Sequence, residues 1–382
     1  MGRKNTSGLY ERQGIWHIDK QIKGYGRLCE SCKTSDREEA EQILMRKLVA
    51  IREQQVFGVR PQRTFRQAAT KFLTETNKRS IARDADCLKN LDPFVGDLLI
   101  ENVHMGTLQH YISHRRKQGI KSSTVTRELA IVRRILTLAA RVWRDDNNKS
   151  WIDTAPLLEM PKWEDSAEPY PLNWTEQARF FSLLPEHLQS MALFKVNTGL
   201  REQSVCWLRW EWEVKIPELD ASVFVIPGRK AVYDDGTWPG EKNKEDQIVV
   251  LNRIARSVID KQRGKHSVYV FAFEDRRIYR MHNTGWKTAW KKAGLPIDGS
   301  YKMGPHNLKH TFGRRLRAAG VPLETRKTLL HHTNGDITTH YSSVELEELI
   351  DAVELIAGED SRKSPALTLI RKKSSCPRRL TA

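Results

Sequence analysis

Hydrophobic residues recur every three or four positions along most of the chain, and this period predicts a mainly helical protein divided into blocks. Residues 8–33 instead alternate aromatic and β-branched residues with turn glycines, which predicts short strands. A helix is expected behind Ser35–Glu38, a capping box. Its apolar face is formed by Ala40, Leu44, Leu48 and Ile51. Residues 1–62 should therefore form a small sheet followed by a helix.

A second, all-helical block is predicted over residues 63–145. It begins with another capping box at Thr64–Gln67, and its clearest helix runs from about Thr124 to Trp143. The apolar stripe of that helix consists of Val125, Leu129, Val132, Leu136 and Ala139. Three arginines repeat every seven residues and project from nearly one face, either as a solvated surface or as a row of phosphate contacts. They are Arg127, Arg134 and Arg141.

Proline density between residues 146 and 172 predicts a stiff linker. The periodic pattern resumes at Asn173 and continues to about Ile356, with strands expected over Ala221–Ile226 and Gln247–Leu251. After Ser361 the chain carries basic residues and no acid, so we expect residues 357–382 to form a basic flexible tail. The fold class is thus α+β, mainly helical and multi-domain.

Composition narrows the function. The 382 residues carry a formal net charge of +17, with 39% hydrophobic and 29% charged residues, as in a soluble globular chain. Basic residues are spread along the chain among Trp, Tyr and His, which favours a nucleic-acid partner over a membrane and makes the arginine row a candidate phosphate surface. A generally basic protein without such a partner is the alternative. No membrane span or secretory signal is expected, and five cysteines favour a reducing cytoplasm.

Metal-binding patterns are weak. Cys29 and Cys32 have CxxC spacing, but no second pair completes four zinc ligands. His306 and His310 have the i, i+4 spacing of zinc ligands, yet position 307 is Asn and not the Glu of a zinc hydrolase. His310 is more simply interpreted as a structural helix residue, and no metal is expected.

Four polar segments between residues 198 and 341 follow one another in an informative order. They are Thr198–Arg201 with Leu208–Trp210 behind it, Lys242–Asn243, His306–His310, and Leu329–His332 with Tyr341 nine residues after His332. This order resembles the tyrosine recombinase (phage integrase) family, whose pattern is TGLR, a hairpin lysine, HxLRH, LLGH and a tyrosine nine residues later. The match covers most of residues 173–345.

Two positions depart from the family pattern. Lys309 stands where the family has its second arginine, and His331 stands where LLGH has glycine. Arginine grips a phosphate with a rigid fork, whereas lysine is a point charge on a flexible stem, so Lys309 keeps the charge and loosens the geometry. One interpretation, which we favour, is that Lys309 replaces the family arginine without loss of function. The other is that the enzyme has weak activity.

The resemblance implies three modules and a reaction. Residues 1–62 would be an arm-site-binding module with Trp16 and Arg27 as DNA contacts, residues 63–145 a SAM-like core-site-binding domain, and residues 173–356 the mixed α/β catalytic domain. Tyr341 would be the nucleophile, His306 its base and Lys242 the general acid. Cations and histidines would surround the nonbridging oxygens, namely Arg201, Lys309, His306 and His332. Lys230 and Lys244 are alternatives to Lys242.

The implied function is site-specific recombination of DNA through a 3′-phosphotyrosyl link, which integrates or excises a mobile element or prophage without a cofactor. Expected partners are double-stranded attachment sites and three further copies of the chain, with a host bending protein and an excisionase-type factor as optional ones. A bacterial cytoplasm, close to the nucleoid, is the expected location. The alternatives are a type IB topoisomerase and an integrase remnant that only binds DNA.

One apolar stripe after the proposed nucleophile has two interpretations. It consists of Leu346, Leu349, Ile350 and Val353. The stripe would dock on a neighbouring copy in a tetramer or pack on its own domain.

Overall fold

The structure, a computed structural model, describes residues 8–23, 25–56, 60–145, 148–163, 165–331 and 343–357. The chain separates into two units, residues 1–166 and residues 167–382, and the division falls within the predicted linker. Among the described helices, none has both the length and the apolar character needed to cross a lipid bilayer.

A three-stranded antiparallel sheet and one helix open the first unit, as the strand pattern predicts. The elements are β1 Leu9–Arg12, β2 Ile15–Ile22, β3 Gly26–Ser31 and α1 Arg37–Val56, with sheet order β1-β2-β3. Ile18 of β2 is fully buried against Ala40 and Leu44 of α1. The helix cap differs from the prediction by one residue: Asp36, and not Ser35, accepts the amide of Glu38 at 2.9 Å.

Four helices form the rest of the first unit. They are α2 Phe65–Glu75, α3 Ile81–Val95, α4 Met105–Lys117 and α5 Ser122–Arg141. The predicted capping box at Thr64 and Gln67 is confirmed by both of its hydrogen bonds. The predicted stripe of α5, from Val125 to Ala139, is completely buried. Ile152 and Leu158 of the predicted linker belong to the same core, so the proline-rich segment packs on the helices along part of its length.

The second unit surrounds a small sheet with helices. Its helices are α6 Trp174–Phe181, α7 Glu186–Thr198, α8 Glu202–Cys206, α9 Arg253–Gln262, α10 Thr284–Lys292, α11 His306–Ala318, α12 Leu323–Leu329 and α13 Ser343–Glu354. Its strands are β4 Glu213–Ile216, β5 Ala221–Ile226, β6 Ala231–Tyr233, β7 Gly236–Trp238, β8 Gln247–Val249, β9 Ala272–Phe273 and β10 Arg276–Arg277. The antiparallel order is β4-β5-β8, with β6-β7 and β9-β10 as separate hairpins. The predicted strand at 221–226 is confirmed, and the one at 247–251 ends two residues early.

The core of this unit packs α7 against α9 and α11. Aromatic rings fill one side of it, where Phe180 meets Trp286 and Trp290 edge to face at 4.8 and 5.4 Å between ring centroids. Such edge-to-face pairs add to the apolar burial. Helices α7 and α11 pack directly on one another, and Gly199, the residue after α7, lies against Phe312 of α11.

Helix α13 packs on its own domain. Leu349 and Val353 are buried in one cluster with Phe312 and Leu316 of α11, and the carbonyl of Val353 accepts a hydrogen bond from Asn252 Nδ2 at 3.2 Å. Of the two interpretations of the apolar stripe, the structure therefore shows packing within the domain.

Candidate active site

A left-handed turn brings Arg201 into the domain. Helix α7 ends at Thr198, Gly199 adopts φ +66°, and Arg201 occupies the cap position of α8. A Cβ at position 199 would lie 2.4 Å from Cδ1 of Phe312, so the turn needs glycine for both its backbone angle and its close contact with α11. The glycine of the TGLR motif thus sets the spacing between the arginine and the helix that carries Lys309.

The guanidinium of Arg201 is paired with a carboxylate that the motif analysis missed. Arg201 Nη1 donates to Glu241 Oε2 at 2.8 Å, and Ser204 Oγ donates to the other oxygen, Oε1. The Glu241 side chain is 2% exposed, whereas that of Arg201 is 27% exposed and keeps an open side. A single glutamate on an irregular turn has no periodic signal, so only its position beside Lys242 could have drawn attention to it.

Lys309 lies on the buried face of α11. Its ammonium donates to the carbonyl of Leu330 at 2.7 Å, which ties α11 to the end of α12. Burial, followed by the positive charge of Arg201, lowers the pKa of Lys309 to about 7, while Glu241 opposes the shift. Lys309 and Arg201 are therefore close enough to repel one another.

Lys195 is a second buried lysine of this region that the motif analysis missed. It is fully buried on α7, and its ammonium donates to the carbonyl of Leu200, next to Arg201. Burial, followed by the charge of Lys309, lowers its pKa to about 7. The signal in the sequence is a lysine inside the apolar run that precedes Thr198.

His306 is the first residue of α11 and remains partly open to solvent. Desolvation, reinforced by His310, Lys195 and Lys309, holds its pKa well below the usual range. The neutral ring is the form that can accept a proton. His310 meets it edge to face at 4.8 Å. Among the described residues, no group of three or more His, Cys, Asp or Glu side chains is arranged to hold a metal ion.

His331 explains the glycine of the family pattern. Its φ is +51°, in the left-handed region that glycine adopts without strain. The ring is buried, which lowers its pKa, and Nε2 lies 3.1 Å from Nδ2 of Asn243. The next residue, His332, and the proposed nucleophile Tyr341 lie outside the described residues.

The hairpin lysine remains a prediction. Lys242 and Lys244 are both exposed on the turn that leads into β8, and Lys230 is exposed before β6. Lys242 is the one that directly follows Glu241, the partner of Arg201. That connection through the backbone favours Lys242 over the other two.

The predicted DNA-binding residues lie in the first unit. Arg127, Arg134 and Arg141 are all exposed on α5, as their seven-residue spacing predicts. Trp16 is half-buried on β2, and Arg27 of β3 pairs with Asp19 through two hydrogen bonds of 2.7 and 2.6 Å. Their contacts with DNA remain predictions.

Residues 175–348 match the phage integrase family. The chain is 23% identical over 359 residues to the integrase of Salmonella phage P22, which covers 82% of this chain and 85% of that protein. It is 28% identical over 269 residues to tyrosine recombinase XerA of Thermococcus kodakarensis, which covers 68% of this chain and 82% of that protein.

Two solved structures share the fold. A lambda integrase tetramer bound to a Holliday junction matches with a TM-score of 0.55 at 13% identity, over 89% of this chain and 99% of that chain. The Tn1549 transposon integrase in complex with circular intermediate DNA matches with a TM-score of 0.54 at 14% identity, over 74% of this chain and 98% of that chain. The predicted α+β, mainly helical class is confirmed.

Proposed function

We propose that this chain is a site-specific DNA recombinase, because its residues 175–348 match the phage integrase family, the tyrosine recombinases, and it is similar to an integrase and to a tyrosine recombinase. It cuts and rejoins DNA strands through a 3′-phosphotyrosyl intermediate and so integrates or excises a mobile element or prophage.

One observation about the site supports this function most. Side chains from three separate segments form a mostly cationic cluster, in which the carboxylate of Glu241 pairs with Arg201 and also acts on Lys309. Burial and the charge of Arg201 lower the pKa of Lys309, and burial and the charge of Lys309 lower the pKa of Lys195. Such a cluster is unfavourable until an anion neutralises it, and a phosphodiester supplies the negative charge that does so.

The residues have distinct roles in the proposed reaction. Arg201, Lys309 and His332 hold the nonbridging oxygens, where negative charge increases in the transition state and where fixed cations are most effective. Tyr341 Oη attacks phosphorus, and neutral His306 accepts the proton from the phenol. The P–O5′ bond breaks, and Lys242 protonates the departing oxygen. A 5′ hydroxyl from the partner strand then reverses these steps.

The proposed partner is double-stranded DNA that carries attachment sites. The P22 relative is an integrase, and the lambda structure is a tetramer bound to a Holliday junction. By that similarity we propose that four copies of this chain act together on two duplexes in a bacterial cytoplasm. We propose a host DNA-bending protein and an excisionase-type factor as optional further partners.

Covalent capture tests the function directly. Purified protein is incubated with a library of nicked genomic fragments of the host, and protein-linked DNA is recovered and sequenced. We expect covalent adducts at one short core sequence. Recovery of non-covalent complexes alone would show that the chain is a DNA-binding remnant.

A plasmid assay then separates the recombinase from the topoisomerase alternative. Supercoiled plasmids with and without a pair of captured core sites are incubated with the protein. A recombinase exchanges strands only when paired sites are present, whereas a type IB topoisomerase relaxes both plasmids.

A further inference from the structure

The turn that carries Lys242 is attached to the site on both sides of the lysine. On one side, Glu241 is buried and each of its carboxylate oxygens has its own partner, Arg201 Nη1 at 2.8 Å and Ser204 Oγ. On the other side, Asn243 Nδ2 lies 3.1 Å from His331 Nε2. Lys242 itself is exposed, so its side chain extends from a backbone that its neighbours hold in place.

The two ends of this turn also rest on one stretch of backbone. Gly240 adopts φ +81°, and a Cβ there would lie 2.4 Å from the carbonyl oxygen of Gly228. From the other end, Asp246 Oδ1 accepts the amide of Gly228 at 2.7 Å. The backbone between Gly240 and Asp246 therefore has a defined path, and Glu241 is its only carboxylate with a bond to Arg201 among the described residues.

A carboxylate beside Arg201 is not explained by stability or by phosphate binding. A buried ion pair contributes little net stability, because desolvation offsets the attraction. A negative charge next to the guanidinium also weakens the attraction for a phosphate. Glu241 therefore weakens the binding of phosphate by Arg201. Its effect on the structure is to link Arg201, which would hold the phosphate, to the backbone that carries Lys242.

We infer that Glu241 is a positioning residue for the general acid. The Glu241 clasp, formed by Arg201, Glu241 and Ser204, holds the turn so that the ammonium of Lys242 reaches the leaving 5′ oxygen of the phosphate bound by Arg201. This inference rests on the proposed function, because it assumes cleavage by Tyr341.

The clasp acts on one bond change only. In cleavage, the bond from Tyr341 Oη to phosphorus forms while the P–O5′ bond breaks, and a proton passes from Lys242 to O5′ to give a 5′ hydroxyl. A sulfur atom at the 5′ bridging position leaves without that proton, because a thiol is far more acidic than an alcohol and its thiolate is a stable leaving group. Sulfur substitution therefore removes the need for a well-placed Lys242 and leaves the need for Arg201 unchanged.

The experiment compares single-turnover cleavage of two nicked duplexes that carry the captured core site, one with oxygen and one with sulfur at the 5′ bridge. We expect Glu241→Gln to slow cleavage of the oxygen substrate at least tenfold and of the sulfur substrate less than threefold. Lys242→Ala should show the same pattern, and Arg201→Ala should be impaired on both. The matched control is Glu218→Gln, which neutralises an exposed acid and should behave as wild type.

Two results overturn the positioning role. One is equal slowing of Glu241→Gln on both substrates, which would place its effect on the phosphate or on folding. The other is faster cleavage than wild type on the oxygen substrate, which would mean that Glu241 merely competes with the phosphate for Arg201. If Glu241→Gln does not fold, the same comparison is made with Ser204→Ala, which removes one hydrogen bond of the clasp. We expect the same pattern on the two substrates. A wild-type protein that cleaves neither substrate contradicts the proposed function itself.

Discussion

Lys309 and His331 are the residues that give this site its individual character. Lys309 is a buried lysine whose ammonium donates one hydrogen bond to the carbonyl of Leu330. This bond ties its charge to the end of α12. His331 adopts a left-handed backbone, which costs a non-glycine residue about 1–2 kcal/mol, and its ring contacts Asn243. Both substitutions thus connect segments that the family pattern treats separately.

Replacing Lys309 with arginine tests whether the site is adapted to lysine. We expect Lys309→Arg to keep or raise the rate of covalent cleavage, because a guanidinium can hold two phosphate oxygens at once. Lys309→Met, which removes the charge at similar length, should lose most activity. A loss of more than tenfold in Lys309→Arg, about 1.4 kcal/mol, would mean that the site is shaped around lysine.

The lowered pKa values of Lys195 and Lys309 predict a proton-linked stability. Both lie at about 7 in the folded protein against an ordinary value of 10.5. Between these values the unfolded chain binds more protons, so stability should rise with pH from about 7 to 10, and the full penalty of two buried charges should apply below 7. Urea unfolding at a series of pH values measures this. Stability that falls over that window in wild type, or the same profile in Lys309→Met, would contradict it.

Several features of the site could be predicted from single residues and others could not. Arg201, His306 and Lys309 stand in short motifs, so their types and spacing identify them. Glu241 and Asn243 lie on an irregular turn, and their partners are 40 and 88 residues away, so no local pattern reveals them. Lys195 breaks an apolar run, but its role depends on which carbonyl it meets in the fold.

At the scale of elements, the periodicity of apolar residues predicts the long amphipathic helices and strands. Helix α5 and strand β5 were predicted within two residues, because their buried faces repeat along the sequence. Strands β6, β7, β9 and β10 are only two or three residues long. An alternation of apolar and polar residues cannot be recognised over so short a segment. The cap at Asp36 was misplaced by one residue because Ser35 and Asp36 are both good caps.

Gly199 is the element-scale feature that most directly sets the site. We expect Gly199→Ala to lower stability by roughly 2–4 kcal/mol, from the strain of φ +66° and overlap with Phe312, and to lower cleavage through displaced Arg201. Gly264→Ala is the matched control, since Gly264 has φ +77° with open space around it, and should lose only about 1 kcal/mol. Urea denaturation and covalent cleavage measure both. Equal effects of the two substitutions would show that the contact with α11 is unimportant.

At the scale of the whole molecule, the chain combines a catalytic unit with a unit that supplies further basic surfaces. The excess of 17 positive charges is spread over both, as expected for a protein that contacts DNA at several places. The sheet and α1 have their own small core, separate from that of α2–α5. This separation is consistent with a module that binds a second DNA sequence and does not take part in cleavage.

Removing residues 1–56 tests that division of labour. The truncation keeps Arg60, whose Nε donates to the carbonyl of Ser150 at 2.9 Å, so the helical core should remain intact. We expect cleavage of an isolated core site within threefold of the full chain and a loss of recombination between complete attachment sites of at least tenfold. Both are measured on the same protein preparations. Equal losses in the two assays would contradict a separate arm-binding role.

We propose that Tyr341 becomes covalently joined to DNA while the cationic cluster around Arg201 holds the phosphate. The most direct test of this proposal is peptide mapping of the protein–DNA adduct by mass spectrometry after nuclease digestion. We expect a nucleotide joined through its 3′ phosphate to the peptide that contains Tyr341, and no adduct in Tyr341→Phe, which should still bind the duplex. An adduct on another residue, or one that persists in Tyr341→Phe, would contradict it.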